Sequence, residues 1–169
     1  MNCNFQIMLK KLNRYSKDNF KQDLLDQMQC TGKFLYKLYF NDEFCRQTGY
    51  NREIELYIGK TTDLADRIYR HFKGMDPSYA YHDNMEKGRR IYKMSCEESL
   101  NVSANIRENL YRYIEVEVHD LTDTNVDLEC YEAEQMKYFK LRHGALPVLN
   151  KREEKTSVVS LAKVRKFYS

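Results

Sequence analysis

Polar and apolar positions follow different periods in different stretches of this chain. Residues 112–120, RYIEVEVHD, alternate Ile114, Val116 and Val118 with Glu115, Glu117 and His119, the two-residue period of a strand with one buried face. KFLYKLYF (33–40) and IELYIG (54–59) are short runs rich in aromatic and aliphatic residues and read as two more strands. Between them, 41–53 reads as a long connection. After Thr62 or Asp63, either of which suits a helix N-cap, Leu64, Ile68 and Phe72 recur at four-residue spacing and mark a buried helical stripe. A longer helix over 128–143 ends at Gly144, a residue suited to the position just past a helix, with Pro147 beyond it. Upstream, 4–15 and 17–29 both read as helices. In the second, Phe20, Leu24, Leu25 and Met28 share a face, and Ser16 can act as N-cap. A short helix is expected near 159–167, and the polar stretch 74–110 reads as an irregular or partly helical insertion.

This order implies an α+β fold: a small sheet of about three strands flanked by helices, with extra N-terminal helices and an insertion after the first helix of the sheet module. Its 169 residues suit a single domain. That domain divides into an N-terminal helical extension (1–31), a module split between 33–73 and 112–150, the insertion (74–110) and a tail (151–169). Hydrophobic residues at 42% and charged residues at 31% exclude a disordered chain. No run approaches the roughly 18 apolar residues of a membrane span, and MNCNFQIMLKK lacks the plan of a signal peptide, so a cytoplasmic protein is expected. The five cysteines, Cys3, Cys30, Cys45, Cys96 and Cys130, are odd in number and none lies within 14 residues of another, which argues against a disulfide framework. The net charge of +3 is uneven: six Lys/Arg against Glu153 and Glu154 give the tail +4 and leave residues 1–150 at −1. A basic end could reach a phosphate backbone, although a solvated tail would look the same.

Several polar residues recur at informative places. Tyr36 lies in the first strand of the module and Tyr57 in the second, just before Ile58 and Gly59. Arg67 and His71 are four apart on the next helix and share a face. Glu134, with Glu132 as its rival, lies on the long helix, and Asn150 follows the Pro147-Val148-Leu149 turn. Each alone has a plain structural reading, such as a strand tyrosine or a solvated helix charge. Their joint order is informative. LYIGKTTDLADRIYRHF (56–72) resembles the second half of the GIY-YIG nuclease module, with Arg67 ten residues after Tyr57 and His71 four later. FLY (34–36) resembles the first half, with Phe34 in the glycine's place and a longer separation between the two tyrosines than is usual. EQMKYFKLRHGALPVLN (134–150) resembles the closing pattern of a helix glutamate and a turn asparagine.

The resemblance implies a metal-dependent endonuclease that hydrolyses DNA phosphodiester bonds. Tyr36 would take a proton from the attacking water with Tyr57 in support, and Arg67, assisted by His71, would hold the phosphate. Glu134 would carry Mg²⁺ or Mn²⁺, and Asn150 would anchor the site. Nearby cations would have to favour a Tyr36 phenolate, because an ordinary phenol titrates near pH 10. Nineteen residues follow Asn150, so recognition of double-stranded DNA is expected from elements woven around the module rather than from an appended domain. Candidate phosphate contacts are Lys60, Lys73, Arg89, Arg90, Lys151 and Arg152, and the insertion interleaves further basic residues, Lys87 and Lys93, with Tyr79, Tyr81 and Tyr92. Restriction-type cleavage of both strands would need a homodimer, formed in solution or on DNA. A monomeric nicking nuclease and a non-catalytic nucleic-acid-binding module are the alternatives.

Overall fold

A computed structural model describes residues 3–7, 17–51, 53–76, 86–96 and 102–150. The strands among them are β1 (Cys3–Ile7), β2 (Thr31–Phe40), β3 (Tyr57–Asp63) and β4 (Ile114–Asp120). The helices are α1 (Lys17–Gln27), α2 (Asp42–Thr48), α3 (Leu64–Gly74), α4 (Glu86–Ser95), α5 (Ala104–Glu108) and α6 (Leu128–His143), with a 3₁₀ turn at Leu110–Tyr113 leading into β4. The strands form one antiparallel sheet in the order β1-β4-β2-β3. The fold is α+β, a sheet flanked by helices. Among the described residues no helix is long and apolar enough to cross a membrane.

Alternation along β2 and β4 assigns the two faces of the sheet. Tyr36, Leu38 and Phe40 stand opposite Val118, Val116 and Ile114, and all six side chains are buried. This face receives α3, whose Leu64, Ile68 and Phe72 are buried as the four-residue spacing requires. Each such side chain contributes about 2 kcal/mol on burial, whereas an exposed ion pair contributes at most about 1 kcal/mol, so apolar packing fixes α3 to the sheet. The other face pairs Leu35, Lys37 and Tyr39 with His119, Glu117 and Glu115. It receives α6, where the Tyr131 hydroxyl lies 2.8 Å from His119 Nδ1. Asp127 caps α6 by accepting from the Cys130 amide, and Gly144 ends it at φ 76°.

Four local expectations change. Residues 3–7 are a strand rather than the start of a helix, pairing from Cys3 opposite Asp120 to Ile7 opposite Val116. The edge of β4 away from β2 carries backbone groups that need partners, and this pairing outweighs local helix propensity. The remainder of that expected helix, and the Ser16 cap, lie outside the described residues. On α1, Leu24 is buried but Leu25 is 49% exposed, so its apolar stripe is narrower than expected. The 41–53 connection contains α2, capped by Asn41, whose side chain accepts from the Phe44 amide, and followed by Gly49 at φ 78°. Phe44 stacks on Phe40 at 4.0 Å between ring centroids, which docks α2 on the end of β2. Finally, β3 begins at Tyr57 rather than Ile54. The helix expected at 159–167 and the basic tail, including Lys151 and Arg152, lie outside the described residues.

Candidate active site

The register of β2 with β3 sets Tyr36 directly opposite Gly59, with Tyr57 two residues before it on the same face. Helix α3 lies over that face and lowers His71 onto both rings. The Tyr36 hydroxyl is 2.7 Å from His71 Nε2. Ring centroids are 5.8 Å apart for Tyr36 and Tyr57, 5.6 Å for Tyr36 and His71, and 5.5 Å for Tyr57 and His71. Gly59 is what lets the rings meet. A Cβ there would stand 2.5 Å from Tyr57 Cε1 and 2.9 Å from Tyr36 Cζ and its hydroxyl oxygen.

The electrostatics of this trio are set by burial. Tyr36 is 0% exposed, which drives its phenol well above the ordinary tyrosine value. The neighbouring Tyr57 and the Glu132 charge push the same way, while the Arg67 charge opposes them. The low phenol value that a general base would need is therefore not found at Tyr36. His71, 3% exposed, is pushed down to about 3 by burial first and then by the charges of Arg67 and Lys87. A neutral His71 shares one hydrogen with the Tyr36 hydroxyl through Nε2, in a direction that its tautomer sets, and its buried Nδ1 has no hydrogen-bond partner among the described residues. Tyr57 is the other hydrogen-bond neighbour of Tyr36, and that contact also raises the Tyr36 phenol. Tyr57 is the half-buried, outward end of this row. Arg67 is exposed, and its charge reaches both Tyr36 and His71.

Asn150 fixes the strand that carries Tyr57 and Gly59. As the outermost strand of its side of the sheet, β3 offers unpaired backbone groups. The Asn150 side chain meets those of Ile58, with Oδ1 accepting from its N–H at 3.1 Å and Nδ2 donating to its carbonyl at 2.9 Å. The turn is held further by the Leu149 amide, which donates to the Leu56 carbonyl at 3.0 Å.

Helical geometry separates the two glutamates, because residues two apart on an α-helix point about 200° apart. Glu134 is exposed and accepts a hydrogen bond from the Tyr138 hydroxyl at 3.0 Å, turned away from the tyrosine row. Glu132 faces β3: its carboxylate is 2.9 Å from Lys60 Nζ, one residue along from Gly59, and its charge reaches Tyr36. Glu129 joins the same ammonium at 2.5 Å. Among the described residues no three His, Cys, Asp or Glu side chains gather as a metal site. Mg²⁺ is commonly held by one or two carboxylates with phosphate and water completing its shell, so Glu132 and Glu129 are candidates once the Lys60 ammonium between them moves aside, beside the exposed Glu134 that the sequence offers.

The expected phosphate contacts fare unevenly. Lys60 is engaged by the two glutamates, and both carboxylates raise its proton affinity. Lys73 lies over the Tyr69 ring, 5.6 Å from its centroid. Arg89 is half-buried. Arg90 is committed inward, donating to the Leu149 carbonyl at 3.0 Å and the Val148 carbonyl at 2.5 Å. Lys87, read from the sequence only as one basic residue of the insertion, comes to the tyrosine row instead, with its Nζ 5.4 Å from the Tyr57 ring centroid. No periodic signal places it there, since only the packing of α4 on α3 does so. No protein-family model, curated protein or solved structure matches the chain.

Proposed function

We propose that the chain is a metal-dependent DNA endonuclease of the GIY-YIG type, acting in the cytoplasm on double-stranded DNA. The observation that carries this reading is the row Tyr57, Tyr36 and His71 closed over Gly59, with the exposed Arg67 near enough for its charge to act on Tyr36 and His71. Of the residues chosen for their order in the sequence, Tyr36, Tyr57 and His71 meet at one spot, and Glu134 stands apart from it.

The row supplies a base at its exposed end. Tyr57 would lose its proton to solvent and its phenolate would take the proton of the attacking water, while Tyr36, held by His71, supports it from behind. His71 itself is no resting place for that proton: passing it from water, with a pKa of about 15.7, to an imidazole held at about 3 would cost about 17 kcal/mol. That exceeds the roughly 16 kcal/mol barrier of an enzyme turning over about ten times a second. Arg67 offers a bidentate pair of donors to the phosphate, strongest as charge builds on the phosphorane. Glu132, with Glu129 beside it, would hold Mg²⁺ or Mn²⁺, whose chemistry there is to polarise the phosphate and lower the pKa of bound water. Asn150 keeps β3 in register beneath the rings.

One such site hydrolyses one strand, so a double-strand break of restriction type requires a two-fold homodimer. The test is incubation of the purified protein with plasmid DNA in Mg²⁺, Mn²⁺ or EDTA, paired with sedimentation on a short duplex. Discrete metal-dependent double-strand products from a dimer are expected. A nick in one defined strand by a monomer would replace the restriction reading with that of a nicking nuclease, and a mobility shift without cutting would leave only a binding module.

A further inference from the structure

We propose that α4 is a wall of the active site rather than a DNA-reading appendage, and that Lys87 is a positioning residue that fixes a positive charge against the Tyr57–His71 pair. The inference rests on the nuclease reading for its catalytic consequence and on packing alone for its geometry.

Residues Lys87, Gly88 and Arg90 each fasten α4 to a different part of the site. Gly88 is the contact point with α3. A Cβ there would lie 2.0 Å from the His71 carbonyl oxygen and 2.8 Å from Cα and the carbonyl carbon of Gly74, so only glycine lets the two backbones approach this closely. That approach delivers Lys87, whose Nζ is shielded from solvent and stands 5.4 Å from the centroid of the Tyr57 ring. One helical step away, Arg90 grips the Val148 and Leu149 carbonyls, the turn from which Asn150 reaches Ile58. A helix serving only to read DNA would need none of these three attachments.

The charge has a consequence for the Tyr57 base. Four groups face His71 or share its charge environment: Tyr36 from β2, Tyr57 from β3, Arg67 from its own helix and Lys87 from α4. Arg67 is exposed and screened by water and salt, whereas the Lys87 ammonium is shielded and acts at lower effective dielectric. Lys87 therefore favours negative charge on the tyrosine oxygens as protons leave them, and it opposes a proton resting on His71.

The experiment compares the full chain with Lys87→Met and Lys87→Arg. Two readouts are taken, steady-state cleavage of plasmid DNA in Mg²⁺ and the ¹⁵N NMR titration midpoint of the His71 imidazole. Lys87→Met should lower kcat about thirtyfold with KM for DNA nearly unchanged, on the scale of a desolvated cation–π contact, and should raise the His71 midpoint. Lys87→Arg should restore most of the rate and return the midpoint. Wild-type kcat with an unmoved midpoint in Lys87→Met overturns the proposal. So does an equal loss of rate in both variants with the midpoint unmoved, the signature of a merely structural role. If the wild-type protein cuts no DNA, the nuclease reading has failed separately and the midpoint alone decides the placement: a rise in Lys87→Met upholds it, and no change overturns it. Lys87→Gln, which keeps part of the aliphatic stem, carries the same test should the Met variant fail to fold.

Discussion

His71 is 3% exposed, and its imidazole is held at about 3 against an unfolded value of 6.5, by burial first and by the Arg67 and Lys87 charges next. Between those two values the unfolded chain binds a proton that the folded chain refuses. Stability contributed by a neutral His71 is therefore complete above pH 6.5 and is lost as the pH falls from there towards 3. The slope approaches about 1.4 kcal/mol per pH unit, so lowering the pH from about 7 to about 5 should cost about 2 kcal/mol through this side chain alone. Other carboxylates and histidines also titrate, so the measurement is a difference of differences. His71→Gln keeps a polar group near the Nε2 position to meet the Tyr36 hydroxyl and removes the titration. Urea unfolding of both proteins at the two pH values should show the wild type losing about 2 kcal/mol more than the variant. Equal losses would mean that His71 gains its proton in the folded state, and the neutral imidazole at the end of the tyrosine row would be refuted.

Three further perturbations probe the same site. Arg67→Ala should lower the cleavage rate about 10²–10³-fold, the scale of one lost transition-state donor, with little change in unfolding free energy because the side chain is exposed, and near-normal turnover would remove Arg67 from the mechanism. Gly59→Ala forces a methyl between Tyr57 and Tyr36, so it should cost about 1–3 kcal/mol in urea unfolding while reducing cleavage far more than that loss explains. Asn150→Ala leaves the outer N–H and C=O of Ile58 without their side-chain partners and should destabilise by about 2–3 kcal/mol, with Asn150→Asp recovering only part because it restores the acceptor alone.

Segments with a long, unambiguous period could be read directly. The alternation in 112–120 became β4, and the boundaries of α6 were legible because Gly144 terminates it and Pro147 follows. The stripe Leu64, Ile68 and Phe72 identified α3, and with it the shared face of Arg67 and His71. Short elements were less legible. The seven residues of α2 are too few to show a period, although Asn41 followed by Asp42 and Glu43 is an N-cap with acidic first-turn residues, and Gly49 is a C-terminal stop. For β1 the cause is tertiary, since its pairing answers the need of β4 for a partner rather than any preference visible in residues 3–7 alone. The site divides in the same way. Tyr36, Tyr57 and His71 follow from strand register and helix spacing. The choice between Glu132 and Glu134 depends on the rotation of α6 about its axis, and that helix shows no clean apolar stripe: it buries Phe139 but leaves Leu141 73% exposed. The inward commitments of Lys87 and Arg90 depend on how α4 packs, which basic composition cannot distinguish from a DNA-facing helix.

Single-turnover cleavage of a duplex substrate by wild-type protein, Glu132→Gln and Glu134→Gln, each with Mg²⁺ and with EDTA, tests the central claim most directly. The wild type should cut only with the metal present, Glu132→Gln should bind the duplex without cutting it, and Glu134→Gln should cut close to the wild-type rate, because its carboxylate faces Tyr138 and solvent. An uncut substrate with wild-type protein in either Mg²⁺ or Mn²⁺ would contradict the nuclease reading. A dead Glu134→Gln beside an active Glu132→Gln would contradict the site geometry on which that reading stands.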